Sequence, residues 1–236
     1  MESTKRAVIL AGYSDNGYIH DDTFELLKEF RKFANYIVAF YDNNTLNDES
    51  IKTLETLVDY YHIENHGEYD FGSYKKGFQQ FTKTRHVFEN IDRIIFCNDS
   101  IIWQKKSLKD FFEKEKNTNF YGLTCNAYGF VPKTYQWQPL PHIQSFLFSV
   151  SKNIFYQNWF RIFFANVKKE ENKNDIIANY EIGLSQTILK NGFTLNSYYP
   201  KVDRYFEPCG YYLNPHSNFQ GERLFLKRKE FSVENL

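Results

Sequence analysis

The polar triplet Asn98-Asp99-Ser100 interrupts an apolar run that extends from Ile91 to Ile102. A run rich in Ile and Phe is typical of a strand buried on both faces, and the carboxyl ends of such strands are where open α/β sheets bind ligands. A carboxylate flanked by an amide and a hydroxyl offers hard oxygen atoms suited to Mg²⁺ or Mn²⁺ carrying a diphosphate. The same residue types favour turns, so an Asx-type turn at the end of the strand is the alternative.

A glycine-containing stretch from His66 to Gly77 is the second candidate. Its glycines permit close approach of backbone to a ligand, and a helix N-terminus near Lys75 and Lys76 would suit a phosphate or nucleotide. The strict G-x-G-x-x-G spacing is absent, and glycines that only satisfy turn geometry are the alternative. Asp70 is either a helix cap or a ligand-binding carboxylate.

Polar side chains also occur where the pattern is otherwise apolar. His142, Gln144 and Ser145 lie in a predicted strand, where they form either a satisfied core network or part of a site, because a buried polar group needs a partner. Glu181 is predicted at the start of a helix over residues 180–190. There it is either a first-turn carboxylate favoured by the helix dipole or a general base above a pocket.

Cationic groups are concentrated near the C-terminal end of the sequence. His216 is followed by Lys227, Arg228 and Lys229. An imidazole and neighbouring cations there would be able to close over a metal-diphosphate and neutralise a leaving group. A solvated basic tail is the alternative.

Length and charge restrict the class of protein. The 236 residues suit one large domain with a substantial core. The 29 basic and 29 acidic residues cancel, which provides no overall field for nucleic acid. Aromatic residues make up 19% of the chain, so we expect some rings to line a pocket or an exposed patch.

Cysteine usage and hydropathy indicate a cellular compartment. The three cysteines are odd in number and lack metal-ligand spacing, which favours a reducing cytoplasm. The apolar stretch near the N-terminus is too short for a signal peptide. No window approaches the roughly 18 apolar residues of a spanning helix, so we expect a soluble or peripheral protein.

The order of predicted elements indicates a parallel sheet. A strand over residues 7–11, a helix over 21–34 and a strand over 37–41 form one β-α-β unit, and a helix over 48–61 leads to a short extended segment at 62–65. Further elements are predicted as helices over residues 74–84, 107–116, 153–167 and 180–190, strands over 93–97, 121–124 and 142–150, a long loop over 129–141, and an irregular segment after residue 199.

Six segments taken together resemble the rhamnan synthesis protein F family, bacterial glycosyltransferases of surface-polysaccharide assembly. The segments are GEYDFGSYKKGF, IDRIIFCNDSI, FYGLT, HIQSFLF, YEIGLSQTILKNGF and GERLFLKRKEF. The resemblance implies a single α/β domain of the A-type, Rossmann-like glycosyltransferase fold over residues 1–236, with a mixed, mainly parallel sheet flanked by helices. Residues 1–105 would form the nucleotide-sugar-binding half, and residues 106–236 the acceptor-binding half with a C-terminal closing segment.

The resemblance also implies roles for individual residues. Glu181 would be the catalytic base, and Asp99 with His216 would hold Mg²⁺ or Mn²⁺, although a strict Asp-x-Asp motif would have carboxylates at 98 and 100. His142, Gln144 and Ser145 would face the acceptor. The donor would contact Ala11, Gly12, Tyr13, Asp70, Lys75, Asn98, Asp99, Ser100 and Lys227.

The expected activity is transfer of a sugar, rhamnose by the family name, from a nucleoside-diphosphate sugar. The acceptor would be a growing surface polysaccharide or a lipid-linked glycan, in the cytoplasm or in peripheral contact with the inner face of the membrane. A non-catalytic carbohydrate-binding or scaffold module is the alternative. A glycoside hydrolase is a weaker one, since it needs two carboxylates flanking the scissile bond.

Overall fold

A seven-stranded sheet forms the centre of the protein in the computed structural model, which describes residues 4–202 and 207–231. The strands are β1 (Arg6–Gly12), β2 (Tyr36–Tyr41), β3 (Tyr60–Ile63), β4 (Arg93–Asn98), β5 (Ile101–Trp103), β6 (Phe120–Gly122), β7 (Cys125–Asn126), β8 (Gly129–Phe130), β9 (Trp137–Gln138), β10 (His142–Ile143), β11 (Leu147–Ser151), β12 (Asn196–Ser197) and β13 (Phe225–Lys227). The order in the sheet is β12-β6-β11-β4-β1-β2-β3.

The sheet is mixed and mainly parallel, as predicted. β1 pairs in parallel with β2 and β4, β2 with β3, and β12 with β6. β11 is antiparallel to both of its neighbours, β4 and β6. The β-α-β units read from the sequence therefore build one half of the sheet, and the reversed strand β11 joins it to the other half.

Helices cover both faces of the sheet. They are α1 (Asp21–Arg31), α2 (Asp48–Leu57), α3 (Tyr69–Lys83), α4 (Arg85–Phe88), α5 (Lys109–Glu115), α6 (Lys152–Phe155), α7 (Asn158–Ala165), α8 (Lys173–Ile176), a π-helix (Ile177–Ile182), α9 (Gly183–Lys190), α10 (Pro208–Tyr212) and a 3₁₀ turn (Arg228–Phe231). Across the described residues, every helix is too short or too polar to span a membrane.

Alternate residues of the central strands face two separate cores. Val8 and Leu10 of β1 pack with α1, α2 and α5, whereas Ala7 and Ile9 pack with α3, α7 and α9. The second core is largely aromatic: the Phe96 ring stacks on Phe148 at 4.7 Å. Most of the aromatic residues are therefore core residues, although Tyr13 is 59% exposed in the loop after β1.

Several predicted elements are wrong in extent. The strand expected over residues 142–150 is two strands, β10 and β11. Ser145 lies in the turn between them and is not part of either strand. The helix expected over 153–167 is divided into α6 and α7. The helix expected over 180–190 begins seven residues earlier, at Lys173, and Glu181 lies inside its π-helical part rather than at its start.

Three two-stranded ladders surround the main sheet, and the ladder of β5 and β13 brings Lys227 next to Ser100. β13 pairs antiparallel with β5, with Lys227 opposite Ile101. The segment expected to be irregular thus contributes a strand that returns to the end of β4. The long loop over residues 129–141 contains the β8-β9 pair.

Candidate functional site

The triplet Asn98-Asp99-Ser100 lies at the carboxyl ends of β1 and β4, which are adjacent and parallel. Asn98 is opposite Ala11 in the register, and the Asp99 amide donates a hydrogen bond to the Ala11 carbonyl at 3.1 Å. The Asp99 carboxylate in turn accepts a hydrogen bond from the Tyr13 amide at 3.0 Å. Asp99 therefore fixes the loop that follows β1.

Asn98 joins the triplet to the glycine-containing stretch. The Asn98 Oδ1 atom accepts hydrogen bonds from the Ser100 amide at 3.1 Å and from the Ser100 hydroxyl at 2.5 Å, which is an Asx-type turn. The Asn98 Nδ2 atom donates to the Asp70 carboxylate at 2.5 Å. The turn and the contact with Asp70 coexist, so the two interpretations of the triplet are compatible.

Lys227 and Arg228 reach the same place from the C-terminal segment. The Lys227 ammonium donates to the Ser100 hydroxyl at 2.7 Å and lies 4.6 Å from the centre of the Phe146 ring. Arg228 donates to the Asp99 carbonyl at 2.8 Å and makes a bidentate contact with Asp22 at 2.7 and 3.1 Å. These bonds attach the C-terminal segment to the end of β4.

Glu181 lies on the π-helix, and its charge acts on both Asp70 and Lys227. A π-helix adds a residue to the turn and is frequent at functional sites, because it redirects the side chains that follow. The Glu181 Oε2 atom accepts a hydrogen bond from the Ser145 amide at 2.6 Å, and Oε1 lies 3.7 Å from Nε2 of His142. The other ring nitrogen of His142 donates to the Leu140 carbonyl at 2.9 Å, which fixes the orientation of the ring beside Glu181.

The carboxylates around the triplet are held in a poorly solvated environment. Burial raises the pKa of Asp99 to about 7. The hydrogen bond from the Tyr13 amide opposes this shift, because it favours the ionised carboxylate. Burial also raises the pKa of Asp70, and the Lys227 ammonium opposes that shift. Burial lowers the pKa of Lys227, with Asp70 opposing. Shifted carboxyl and ammonium groups in one place are typical of functional sites.

The structure adds residues that the sequence analysis missed. Glu207 accepts a hydrogen bond from Asn126 at 2.8 Å; burial raises the pKa of Glu207, and His142 opposes the shift. Burial raises the pKa of the Cys209 thiol, and Gln144 opposes the shift. Both residues lie in the segment that the sequence pattern presents as irregular, and no periodic signal marked them.

Three further predicted residues have contacts or exposure of a different kind. Lys75 forms an ion pair with Glu68 and donates to the Val167 carbonyl at 2.8 Å. Gly12 has a packing reason for being glycine, since a Cβ there would lie 2.2 Å from the Tyr41 ring. His216 is exposed, and the hydrogen bond described for it is made by its backbone amide to Asn214.

The described residues do not form a metal-binding cluster on their own. Within residues 4–202 and 207–231, no group of three or more His, Cys, Asp or Glu side chains is arranged to hold one. The oxygen atoms of Asn98 and Ser100 are already engaged in the hydrogen bonds of the turn, and an ammonium lies beside Ser100. The metal site expected at Asp99 and His216 therefore stays a prediction.

A family model described as rhamnan synthesis protein F matches residues 38–235. No curated protein matches the sequence at a significant level.

Three solved structures have a similar course of the chain. A 4-diphosphocytidyl-2C-methyl-D-erythritol synthase shares 10% identity at a TM-score of 0.48, over 86% of this chain and 91% of that one. HddC from Yersinia pseudotuberculosis shares 14% sequence identity at a TM-score of 0.38, and the match covers 64% of this chain and 78% of that one. Core-mannan synthase A from Aspergillus fumigatus, in an Mn/GDP form, shares 11% sequence identity at a TM-score of 0.42, and the match covers 75% of this chain and 69% of that one. Similarity this remote carries no argument about activity.

Proposed function

The chain belongs to the rhamnan synthesis protein F family, and from that premise we propose that it is a glycosyltransferase that uses a nucleoside-diphosphate sugar as donor. The observation that carries the proposal is the convergence of Asp70, Asn98–Ser100 and Lys227 in one hydrogen-bonded chain. Three segments far apart in the sequence meet at the carboxyl ends of parallel strands, where open α/β sheets bind ligands.

The donor would lie over the ends of β1 and β4. Ala11, Gly12 and Tyr13 would border the nucleotide, with the exposed Tyr13 ring available for stacking on the base. The Asp99 Oδ2 atom is engaged by the Tyr13 amide, so its second oxygen would accept a hydroxyl of the donor. Lys75 and His216 would contact the donor only at its periphery.

Glu181 would act as the general base in a direct displacement. The acceptor hydroxyl would pass its proton to Glu181 Oε1 while the acceptor oxygen forms a bond to the anomeric carbon. The bond from that carbon to the phosphate oxygen would break, and its electron pair would leave with the nucleoside diphosphate. The Ser145 amide holds the other carboxylate oxygen, which fixes the direction of the base.

The acceptor would be a saccharide, free or lipid-linked, placed near His142, Gln144 and Ser145. In this proposal the donor half comprises about residues 1–105, and Lys227 from the acceptor half completes it. All three cysteines are free thiols, which agrees with a cytoplasmic enzyme that works at the inner face of the membrane.

A screen of nucleotide sugars tests the proposal. The protein is incubated with UDP-, GDP-, CDP- and dTDP-sugars, with and without Mn²⁺, and scored by thermal shift and nucleotide release. Stabilisation and release with one nucleotide class support a transferase. Stabilisation by oligosaccharides alone, without any response to nucleotides, would indicate the carbohydrate-binding module instead.

A further inference from the structure

We propose that the ammonium group of Lys227, rather than a divalent cation, neutralises the diphosphate of the donor. This inference rests on the proposed function, because it concerns how the donor of that reaction is held. It assigns to one side chain the electrostatic task for which the sequence analysis expected Mg²⁺ or Mn²⁺.

The backbone on both sides of Lys227 is fixed. Lys227 pairs with Ile101 across the β5-β13 ladder, and its amide donates to the Leu213 carbonyl at 2.9 Å. The next amide, of Arg228, donates to the Ser100 carbonyl at 2.9 Å. The bidentate contact of Arg228 with Asp22 anchors the segment to α1. Lys227 is therefore held in place before any ligand arrives, which lowers the entropy cost of using it.

The ammonium lies among the groups where a metal would be expected. It is 2.7 Å from the Ser100 hydroxyl, at the end of the triplet, and its charge acts on Asp70. A divalent cation close enough to bind Ser100 or Asp70 would be repelled by this ammonium at short range. The ring of Phe146 at 4.6 Å stabilises the cation and shields it from water on one side.

The hydrogen-bonding capacity of the triplet points the same way. Asn98 Oδ1 accepts two hydrogen bonds from Ser100, and Asn98 Nδ2 donates to Asp70. Asp99 accepts one from Tyr13. In nucleotide sites Mg²⁺ is commonly held by one or two carboxylates together with substrate phosphates and water. Here the two carboxylates beside the triplet, Asp70 and Asp99, already accept hydrogen bonds from Asn98 and Tyr13.

An ammonium is chemically adequate for the task. Lys carries three donors on a compact charge, and one of them is used by Ser100, which leaves two for phosphate oxygens. Lysine side chains bind phosphates as point charges in many nucleotide sites. When the sugar–phosphate bond breaks, negative charge grows on the departing diphosphate, and the same ammonium would stabilise it.

The experiment is isothermal titration calorimetry of the whole chain with UDP, GDP, CDP and dTDP. Each titration is made once in EDTA and once with about 1 mM Mn²⁺, a concentration on the order of the dissociation constants of weak metal sites. Wild type is compared with Lys227→Met, Lys227→Arg and Ser100→Ala. Lys52→Met, at an exposed lysine of α2, is the matched control. Thermal unfolding verifies that each variant is folded.

We expect one diphosphate to bind in EDTA, with an affinity that Mn²⁺ changes less than threefold. Lys227→Met should weaken binding at least tenfold, Lys227→Arg much less, and Ser100→Ala less than Lys227→Met, because the charge remains. Binding that requires Mn²⁺, or equal affinity for wild type and Lys227→Met, would overturn the inference and leave the proposed function standing. Binding of no diphosphate in either buffer would remove the proposed function itself. If Lys227→Met fails to fold, the comparison of wild-type affinity in EDTA and in Mn²⁺ still shows whether diphosphate binding requires the metal.

Discussion

The side chain of Lys227 donates a hydrogen bond of 2.7 Å to Ser100, a residue 127 positions earlier in the chain. This bond connects the C-terminal segment to the end of the central strand β4. The donor side of the site therefore depends on a segment close to the C-terminal end of the described residues.

Replacing Glu181 by Gln should lower kcat by roughly 10²–10⁴-fold with little change in KM for the donor, which is the usual contribution of a general base. Gln has an oxygen that accepts the Ser145 amide, so the fold should be unaffected. The measurement is steady-state kinetics of sugar transfer. Glu113→Gln, at an exposed glutamate of α5, is the control, and near-normal transfer by Glu181→Gln would reject the assignment.

Asp99 should make stability depend on pH. The pKa of Asp99 is about 7 in the folded protein, whereas its ordinary value, which applies to the unfolded chain, is 3.8. Between these pH values the folded state therefore keeps a proton that the unfolded state has released. The free energy of unfolding should therefore fall as the pH rises from about 4 to about 7. Urea unfolding across this range measures the effect.

Asp99→Asn is the matched variant for that measurement, since Asn stays neutral and its oxygen still accepts the Tyr13 amide. We expect the variant to resemble wild type at pH 4 and to be the more stable protein at pH 8. Parallel stability curves for the two proteins would show that Asp99 does not titrate in this window.

Asp22 and Arg228 should be energetically coupled. The pair is bidentate, and the two side chains are 27% and 24% exposed. A double-mutant cycle with Asp22→Ala and Arg228→Ala should give a coupling of about 1 kcal/mol in the free energy of unfolding. A coupling indistinguishable from zero would mean that this ion pair does not hold the C-terminal segment.

Gly77 should not tolerate a methyl group. A Cβ at this position of α3 would lie 2.4 Å from Cγ2 of Ile9, a fully buried residue of β1. We expect Gly77→Ala to cost about 1–3 kcal/mol, although alanine favours helices. Gly183→Ala is the control, because its Cβ would lie 3.5 Å from the nearest atom, and it should be neutral or stabilising. Equal stability of the two variants in urea would contradict the packing of α3 on β1.

The strands of the parallel half of the sheet were predictable because continuous apolar runs and short β-α-β spacings are local signals. The same holds for the triplet at the end of β4. The reversed direction of β11 was not predictable, since periodicity does not report how a strand pairs. A three-residue strand such as β13 carries no pattern at all, so the position of Lys227 follows from long-range pairing alone.

Glu181 illustrates the same limit at the scale of one turn. Its residue type and its place near a helix were recognised from the sequence, but the helix begins earlier and contains a π-helical segment. The π-helix packs against β10, a long-range contact that local propensity does not encode. Glu207 had no sequence signal, because isolated glutamates in irregular segments are common.

The most direct test of the proposed function is mass-spectrometric detection of product from the nucleotide sugar and a saccharide acceptor. The account predicts that glycosylated acceptor and nucleoside diphosphate form in equal amounts with wild type and are lost with Glu181→Gln. Oligosaccharide binding without release of nucleotide from any nucleotide sugar would contradict it.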